Sequence, residues 1–413
     1  MRGAAASALV LPLLVLLLLV LSACGGEAPV PSTASGGGSS GGSTEDAGRC
    51  VDVYDPQTDY FPEKPRPRYA QGFQFEYFNN YKVVTVALPE TTHRYVLVRC
   101  GTPTPEGVDG TVVEVPVERI VTTSTTELPH LVSLGLVDHL VGHDNANYVS
   151  SPEVRQRFAD GQIREVGEGY GFNLEIVLEL APDLVMAASL ASDANDTFKR
   201  LGEAGITVAH VPSFLENSPL GRAEWILLTA SFFNREADAV RIFDEVAERY
   251  EELAALGRAG LEGGPTVLAT GPTGDAWHLP GGESYMANLI ADAGGRYLWA
   301  DEASAGSLPM SSESVFERAL DVDIWLHPSH WKSLEEIAGV DERLASFKAF
   351  ETRKVFQNDR RHIVPEGEQY GANDYWETGS ARPDLVLADF LKIFHPRLMA
   401  RHEFYFHRQL PAR

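Results

Sequence analysis

The sequence predicts an α/β protein in which two Rossmann-like lobes, each with a parallel sheet, are bridged by one long helix and preceded by a β hairpin or meander. Short apolar runs alternate with helical patterns in two separate series, at 120–211 and at 266–394. A long amphipathic helix is predicted between them, at 236–256. Because strands that alternate with helices are covered on both faces, each series predicts a parallel sheet of its own.

The first predicted strands belong to an N-terminal β extension at 50–110. Apolar and polar residues alternate at 73–77, and apolar runs follow at 81–86 and 95–98. Both patterns are typical of strands. A turn rich in proline and glycine, at 101–110, is predicted to end the extension.

The N-lobe is predicted at 111–221 and the C-lobe at 263–413. The N-lobe elements are strands at 120–123, 140–142, 182–187 and 206–211, and helices at 127–134, 173–180 and 197–204. The C-lobe elements are strands at 266–270, 323–326 and 354–356, and helices at 285–293, 313–320 and 381–394. Their length and periodicity decide between strand and helix in each case.

A bridging helical region is predicted at 222–262, with a break at 232–234. The part after the break carries one apolar stripe, formed by Ala239, Ile242, Phe243, Val246, Tyr250 and Leu253. At the rise of an α-helix this part would be roughly 30 Å long. A rigid helix that spans both lobes permits only small opening motions between them.

The N-terminus looks like a lipoprotein signal. An apolar run at 8–21 follows Arg2 and is too short to span a bilayer comfortably, and small residues precede Cys24. We predict a signal peptide at 1–23, a lipid on Cys24, and a flexible linker at 24–49 that is rich in glycine and serine. The alternative is an ordinary cleaved signal in which the cysteine is incidental.

Outside the cytoplasm, the two remaining cysteines, Cys50 and Cys100, are expected to form a disulfide, with two buried thiols as the alternative. The formal net charge of −24 argues against a nucleic-acid partner. The chain has no Cys-x-x-Cys motif and no His-Glu-x-x-His motif, and Gly167-Glu168-Gly169-Tyr170-Gly171 lacks the Gly-x-Gly-x-x-Gly spacing of a dinucleotide site.

Each predicted lobe contains a helix with a glutamate in its first turn. Asn173-Leu174-Glu175 opens a helix that runs into a strand, and Ser311-Ser312-Glu313 does the same. Helix capping and an acidic first turn explain both without any function. With the stretches 118–142 and 373–396, however, these segments resemble the periplasmic-binding proteins of ABC importers for iron–siderophore complexes, haem and cobalamin. The resemblance covers about 117–410 and implies that Glu175 and Glu313 meet arginines of the permease.

The ligand site is expected in the cleft between the lobes, beyond the carboxyl ends of the parallel strands. The candidate ligand-binding residues are Thr125, Thr126, His143, Tyr170, Trp277, Tyr285, Trp331, Tyr375 and Trp376. Aromatic side chains there would stack on a flat or apolar ligand, although each alone could equally be core packing. His327 and His330 lack a third ligand nearby, so no protein metal site is predicted.

The resemblance implies a monomeric, lipid-anchored solute-binding protein with no intrinsic cofactor and no enzymatic activity. Its ligand would be an iron chelate, with a ferric siderophore as the first choice and haem or cobalamin as alternatives. Its partners would be a membrane permease, with the ATPase of that permease, and the membrane that holds the lipid. A surface-tethered hydrolase is the remaining alternative, and it would require a nucleophile and a base in the cleft.

Overall fold

A computed structural model describes residues 48–168, 171–188, 196–259, 263–274, 276–366 and 370–413. The predicted signal peptide, Cys24, nearly all of the linker and Tyr170 lie outside these residues. The described chain forms the β extension, two α/β lobes and the helices that connect them. This arrangement is the fold class that the sequence predicts.

The extension is a four-stranded sheet with the order β1-β2-β3-β4. Its strands are β1 (Phe73–Tyr77), β2 (Tyr81–Ala87), β3 (Thr92–Arg99) and β4 (Thr111–Val115). The first three form the predicted antiparallel meander, but β4 pairs in parallel with β3. Residues 101–110 loop back along the sheet, and β4, which lies in the predicted N-lobe at 111–221, completes it. Cys50 and Cys100 form a disulfide.

The N-lobe sheet has five parallel strands in the order β11-β10-β5-β6-β7. The N-lobe elements, in chain order, are β5 (Ile120–Thr122), α1 (Leu128–Leu134), β6 (Leu140–His143), α2 (Pro152–Ala159), β7 (Arg164–Glu165), β8 (Gly167–Glu168), β9 (Gly171–Phe172), α3 (Leu174–Leu180), β10 (Leu184–Ala187), α4 (Asp196–Glu203) and β11 (Thr207–His210). The central strands β5 and β10 are buried along their whole length, as expected for strands covered on both faces.

Three helices connect the lobes: α5 (Pro219–Ala223), α6 (Ile226–Ser231) and α7 (Glu236–Ala259). The break predicted at 232–234 separates α6 from α7, and Asn234 there has a positive φ of 55°. Buried residues on α7 follow helical spacing, because this face packs into the core. The long helix of the prediction is α7, and α5 and α6 are short helices before it.

The C-lobe sheet has the order β15-β12-β17-β18-β21, and only β21 is antiparallel to its neighbour. The C-lobe elements, in chain order, are β12 (Thr266–Ala269), β13 (Pro272–Thr273), β14 (Ala276–Pro280), α8 (Tyr285–Asp292), β15 (Arg296–Tyr297), β16 (Ser307–Ser311), α9 (Ser312–Ala319), β17 (Ile324–Leu326), α10 (Leu334–Val340), α11 (Lys348–Glu351), β18 (Val355–Gln357), β19 (His362–Ile363), β20 (Ala372–Asn373), α12 (Thr378–Ala381), α13 (Pro383–Phe394) and β21 (Arg408–Gln409). A second, antiparallel sheet, β13-β14-β16, was not predicted from the sequence.

One hydrophobic core runs through the extension, the connecting helices and both lobes. It includes Phe73 of the extension, Trp225 between α5 and α6, Tyr250 of α7 and Trp325 of the C-lobe, all buried. This shared burial of apolar surface holds the extension, the connecting helices and both lobes together. Among the described helices, none has the length and apolar character needed to cross a bilayer.

Candidate functional site

A cavity of about 900 Å³ lies between the lobes. Its C-lobe side includes Thr270 and His327, which directly follow the parallel strands β12 and β17. Tyr148 lines it from the N-lobe. A further contribution comes from residues 212–222, here called the crossing segment, which leads from β11 into α5. The cavity thus lies where an open α/β sheet places a ligand site, at the carboxyl ends of strands.

The side chains that line the cavity make it basic. Two permanent cations and four imidazoles line it, namely Arg222, Lys332, His278, His327, His330 and His362. Asp359 is the single acidic residue among the described lining residues, and Arg408 pairs with it through two contacts of 2.6 and 2.8 Å. The net charge of the whole chain is −24, so the cavity has the opposite character to the protein around it.

Arg222 is the cation held in the most defined geometry. Its Nη2 donates to the backbone oxygens of Phe214 at 2.9 Å and Glu216 at 3.0 Å. Its guanidinium carbon lies 4.0 Å from the ring centroid of Tyr285, a cation–π distance. Its buried Nε has no hydrogen-bond partner among the described residues. Burial lowers the pKa of Arg222, yet a guanidinium stays protonated at neutral pH.

Three of the predicted aromatic residues line the cavity together: Tyr285, Tyr375 and Trp376. The rings of Tyr375 and Trp376 meet edge to face with centroids 4.8 Å apart. Trp376 keeps 59% of its surface exposed, which leaves it available for a ligand. Burial raises the pKa of both tyrosines, so both are neutral phenols at physiological pH. These rings offer stacking surface and hydroxyl groups.

The ring of His327 is held by a chain of buried hydrogen bonds. Its Nε2 lies 2.9 Å from Nε2 of His407, whose Nδ1 lies 2.9 Å from Oδ2 of Asp389. Burial alone would raise the pKa of Asp389, but hydrogen bonds from His402 and His407 outweigh it and hold that pKa well below its usual range. Burial, and then His407, lowers the pKa of His327 well below its ordinary value. His327 is therefore a neutral ring of fixed orientation in the cavity wall.

The backbone around His327 is strained. Thr270, His327 and Ser329 all line the cavity and have φ values of 69°, 53° and 65°. Such left-handed conformations cost a non-glycine residue of order 1 kcal/mol each and cluster at functional sites. The hydrogen bond from the backbone N–H of His327 to the carbonyl oxygen of Phe356, at 2.8 Å, helps to hold this geometry.

The described candidates from the N-lobe do not line the cavity. Thr125 and Thr126 are half-buried in a helical turn capped by Ser124. His143 is buried, with Nδ1 2.7 Å from the hydroxyl of Thr122, and burial lowers its pKa to about 4. Thr125 and Thr126 come after β5 and His143 is the last residue of β6, so all three lie near the carboxyl ends of parallel strands, as predicted, but none of the three is among the residues that line the cavity.

Trp277 and Trp331, which were predicted to bind the ligand, do not line the cavity, whereas residues next to them do. Trp277 is fully buried against Trp325, because side chains alternate along β14 and its neighbour His278 takes the cavity side. Trp331 is buried as well, whereas His330 and Lys332 on either side of it line the cavity. The predicted segments do reach the cavity, but in each of them a neighbouring side chain, and not the predicted tryptophan, points towards it.

Several lining residues were not among the predicted ligand-binding residues, above all Arg222 and Phe214 of the crossing segment. Arg222 is the first residue of the predicted bridging region and was therefore predicted to have a structural role only. His327 and His330 have different hydrogen-bond partners: Nε2 of His327 lies 2.9 Å from Nε2 of His407, and Nδ1 of His330 lies 3.1 Å from the hydroxyl of Ser329. Among the described residues, no group of three or more histidine, cysteine, aspartate or glutamate side chains is placed to hold a metal ion.

Glu175 and Glu313 are both exposed and both lie in the first turn of a helix, α3 in the N-lobe and α9 in the C-lobe. Asn173 accepts from the backbone N–H of Ile176 at 3.1 Å, and Ser311 accepts from that of Ser314 at 3.3 Å. The two lobes therefore present one carboxylate each from a capped helix start.

Residues 120–362, more than half of the chain, match the periplasmic binding protein family. The chain belongs to this family. An uncharacterized lipoprotein of Methanocaldococcus jannaschii is 26% identical over 344 residues, which cover 80% of this chain and 83% of the relative. Proteins of the family are non-enzymatic, work outside the cytoplasm and deliver small ligands to ABC permeases.

Two solved structures share the fold. A periplasmic haem-binding protein from Pseudomonas aeruginosa has a TM-score of 0.52 and 20% identity, covering 68% of this chain and 94% of that one. A protein of an ABC-type Fe³⁺-hydroxamate transport system from Saccharomonospora viridis has a TM-score of 0.51 and 17% identity, covering 68% and 94%. At these identities the likeness shows the two-lobe architecture.

Proposed function

We propose that this periplasmic binding protein captures an anionic iron chelate, with a ferric siderophore as the first choice, and delivers it to an ABC permease. The observation that carries the proposal is the basic cavity of an acidic protein. Arg222 and Lys332 line it, and its single described acidic residue, Asp359, is already paired with Arg408. Charge-assisted hydrogen bonds to an anion are stronger than neutral ones, so such a cavity favours a negatively charged ligand.

The aromatic residues support a ligand with extended flat surfaces. Tyr375 and Trp376 present rings at right angles to one another, and Tyr285 lies beneath the guanidinium of Arg222. A catecholate or another aromatic chelating group can stack on such rings while its charge meets Arg222. The solved structures with this fold include proteins named for haem and for Fe³⁺-hydroxamate transport. Haem carries carboxylates and remains the second candidate, whereas uncharged cobalamins suit the cavity least.

Ligand binding is tested with the purified protein without its first 47 residues and a panel of probes. The panel contains a ferric tris-catecholate, ferric citrate, a ferric hydroxamate of net positive charge, haemin and cyanocobalamin. We expect saturable quenching of tryptophan fluorescence by an anionic iron complex, because Trp376 lies at the cavity. Trp376→Phe should reduce this signal. Binding of cyanocobalamin alone, or of none of the probes, would contradict the proposal.

Delivery requires docking on the permease, for which we propose Glu175 and Glu313. Both are exposed at capped helix starts, one on each lobe. Glu175→Lys combined with Glu313→Lys should abolish uptake in cells and leave the affinity of the purified protein unchanged. A matched control reverses two other exposed carboxylates, Glu153 and Glu335. Normal uptake by the double variant, or equal loss in the control, would reject the docking role.

The lipid anchor at Cys24 completes the proposal. The relative from Methanocaldococcus jannaschii is named a lipoprotein, and the sequence before Cys24 is typical of such a signal. The mature protein should partition into a detergent phase, and Cys24→Ser should move it to the aqueous phase. Equal partitioning of both proteins would exclude the anchor.

A further inference from the structure

The crossing segment has two sides that face different parts of the molecule. Phe214 and Arg222 line the ligand cavity on one side. On the other side, the carboxylate of Glu216 is buried against the N-terminal extension. Glu216 therefore links the extension to the cavity. Its backbone oxygen accepts a hydrogen bond from Arg222, and its side chain accepts hydrogen bonds from the extension.

A loop of the extension, residues 68–72, binds two buried carboxylates on either side of Arg222 in the sequence. Glu216 accepts from the backbone N–H groups of Gln71 at 2.8 Å and Gly72 at 2.9 Å. Glu224 accepts from those of Arg68, Tyr69 and Ala70 at 2.7 to 2.8 Å. Five consecutive backbone donors thus end on these two side chains. Hydrogen bonds to carboxylate oxygens are stronger than those between neutral groups, so Glu216 joins the loop firmly to the crossing segment, and Glu224 joins it to the chain two residues after that segment.

Close packing adds to these hydrogen bonds. The indole Nε1 of Trp225 donates to the same oxygen of Glu216 at 3.1 Å, and the ring of Phe73 packs edge to face on Trp225 with centroids 4.9 Å apart. A Cβ atom on Gly72 would lie 2.6 Å from the Trp225 ring. Only glycine allows the loop to approach this closely, so the loop packs directly against the ring of Trp225.

We propose that loop 68–72 of the extension is a positioning element for ligand binding, which holds the crossing segment so that Arg222 is preorganised for an anion. Through Glu216 and Glu224 the loop fixes the backbone oxygens that orient the guanidinium. Preorganisation raises affinity because the ordering cost is met before the ligand arrives. This inference rests on the proposed binding of an anionic chelate at Arg222, and it gives the extension a role in recognition.

The test uses Glu216→Ala and Glu224→Gln in the full mature chain, with the ferric tris-catecholate as probe. Glu216→Ala removes the acceptor of three donors. Glu224→Gln keeps the shape of the side chain. Both carboxylate oxygens of Glu224 accept hydrogen bonds from backbone N–H groups, so the glutamine NH₂ group would have to face one of these donors. We expect each variant to bind the probe about tenfold more weakly, as a loss of preorganisation implies. Amide hydrogen exchange at 212–222 should rise in the absence of any ligand.

The control is Asn80→Ala, which removes another hydrogen-bonding group of the extension. The side-chain amide of Asn80 donates to the hydroxyl of Thr102 at 3.1 Å and to the carbonyl oxygen of Pro103 at 2.9 Å, both within the extension. This variant should keep the wild-type affinity and the wild-type exchange at 212–222. Folded Glu216→Ala and Glu224→Gln proteins with wild-type affinity and exchange would overturn the inference. If the wild-type protein bound none of the anionic iron complexes of the panel, the proposed function would fail instead, and the exchange measurement would still decide whether the loop holds the segment.

Discussion

The C-lobe wall of the cavity and the crossing segment contribute different chemistry to one site. The C-lobe supplies rings, among them Tyr375, Trp376 and the neutral imidazole of His327. The crossing segment supplies Arg222, whose charge is oriented by carbonyl oxygens of the same segment. The C-lobe therefore supplies most of the stacking surface together with Lys332, and the crossing segment supplies the oriented guanidinium, so single substitutions should separate these two contributions.

The largest effect is expected from Arg222→Met. The variant keeps an unbranched side chain but loses the guanidinium, and one charge-assisted hydrogen bond contributes about 1.5–3 kcal/mol. Affinity for an anionic ferric chelate should fall by about 10- to 100-fold, since ~1.4 kcal/mol corresponds to tenfold. Binding of an uncharged aromatic probe should change little. Titration calorimetry of both probes measures the difference.

Arg222→Lys is the matched control for this prediction. It keeps the charge but loses the planar fork that spans two carbonyl oxygens, so it should lie between the wild type and Arg222→Met. If Arg222→Met weakened both probes equally, the charge would not be the selective feature. The division between the two regions would then be wrong.

A smaller effect concerns Glu377, which joins the two lobes beside Trp376. Its buried carboxylate accepts from the backbone N–H groups of Ser150 at 2.6 Å and Ser151 at 2.8 Å, in the N-lobe. Burial raises the pKa of Glu377 to about 7, against the opposing effect of these hydrogen bonds. Between about pH 4.5 and 7 the folded protein binds a proton that the unfolded chain has lost. The free energy of unfolding should therefore fall as the pH rises through this window.

Glu377→Gln should remove about 1–3 kcal/mol of the change in the free energy of unfolding across this window, because one pKa unit corresponds to ~1.4 kcal/mol. Urea unfolding at a series of pH values measures it. The exposed Glu153 of α2 provides the control, and Glu153→Gln should leave the profile of the wild type intact. Parallel profiles for the wild type and Glu377→Gln would show that this carboxylate does not titrate in the window.

The smallest effect is expected from Trp376→Ala on the C-lobe wall. An aromatic contact contributes about 0.5–1.5 kcal/mol beyond area burial, so affinity should fall by roughly three- to tenfold. The loss should be similar for anionic and uncharged flat probes, in contrast to Arg222→Met. Trp277→Phe, in the core of the same lobe, should leave both affinities unchanged. A loss confined to anionic probes in Trp376→Ala would contradict the assignment of shape to the C-lobe.

Much of the fold could be predicted because its signals are local. The buried strands of both parallel sheets appear as apolar runs, and α7 shows its stripe at helical spacing. The pairing of β4 with β3 depends on the path of the loop 100–110, which periodicity does not record. The small sheet β13-β14-β16 was missed because each of its strands contains a proline, which argues against a strand in a sequence pattern.

The site was less predictable, since it depends on which way each side chain points. Trp277 and His278 are neighbours in one strand, and only the register of β14 decides that the tryptophan is buried and the histidine lines the cavity. Arg222 reaches the cavity because the crossing segment is held by an extension more than 140 residues earlier in the chain. Contacts at that separation leave no trace in a local pattern.

The contrast between an acidic surface and a basic cavity also governs the kinetics of capture. At low ionic strength the field of a chain with net charge −24 repels an anionic chelate at long range, whereas Arg222 attracts it at contact. Salt screens interactions beyond about 10 Å at 0.1 M but acts less on a partly buried pair. Added salt should therefore speed association while changing dissociation little, which is the reverse of the usual behaviour of a ligand and a site of opposite charge.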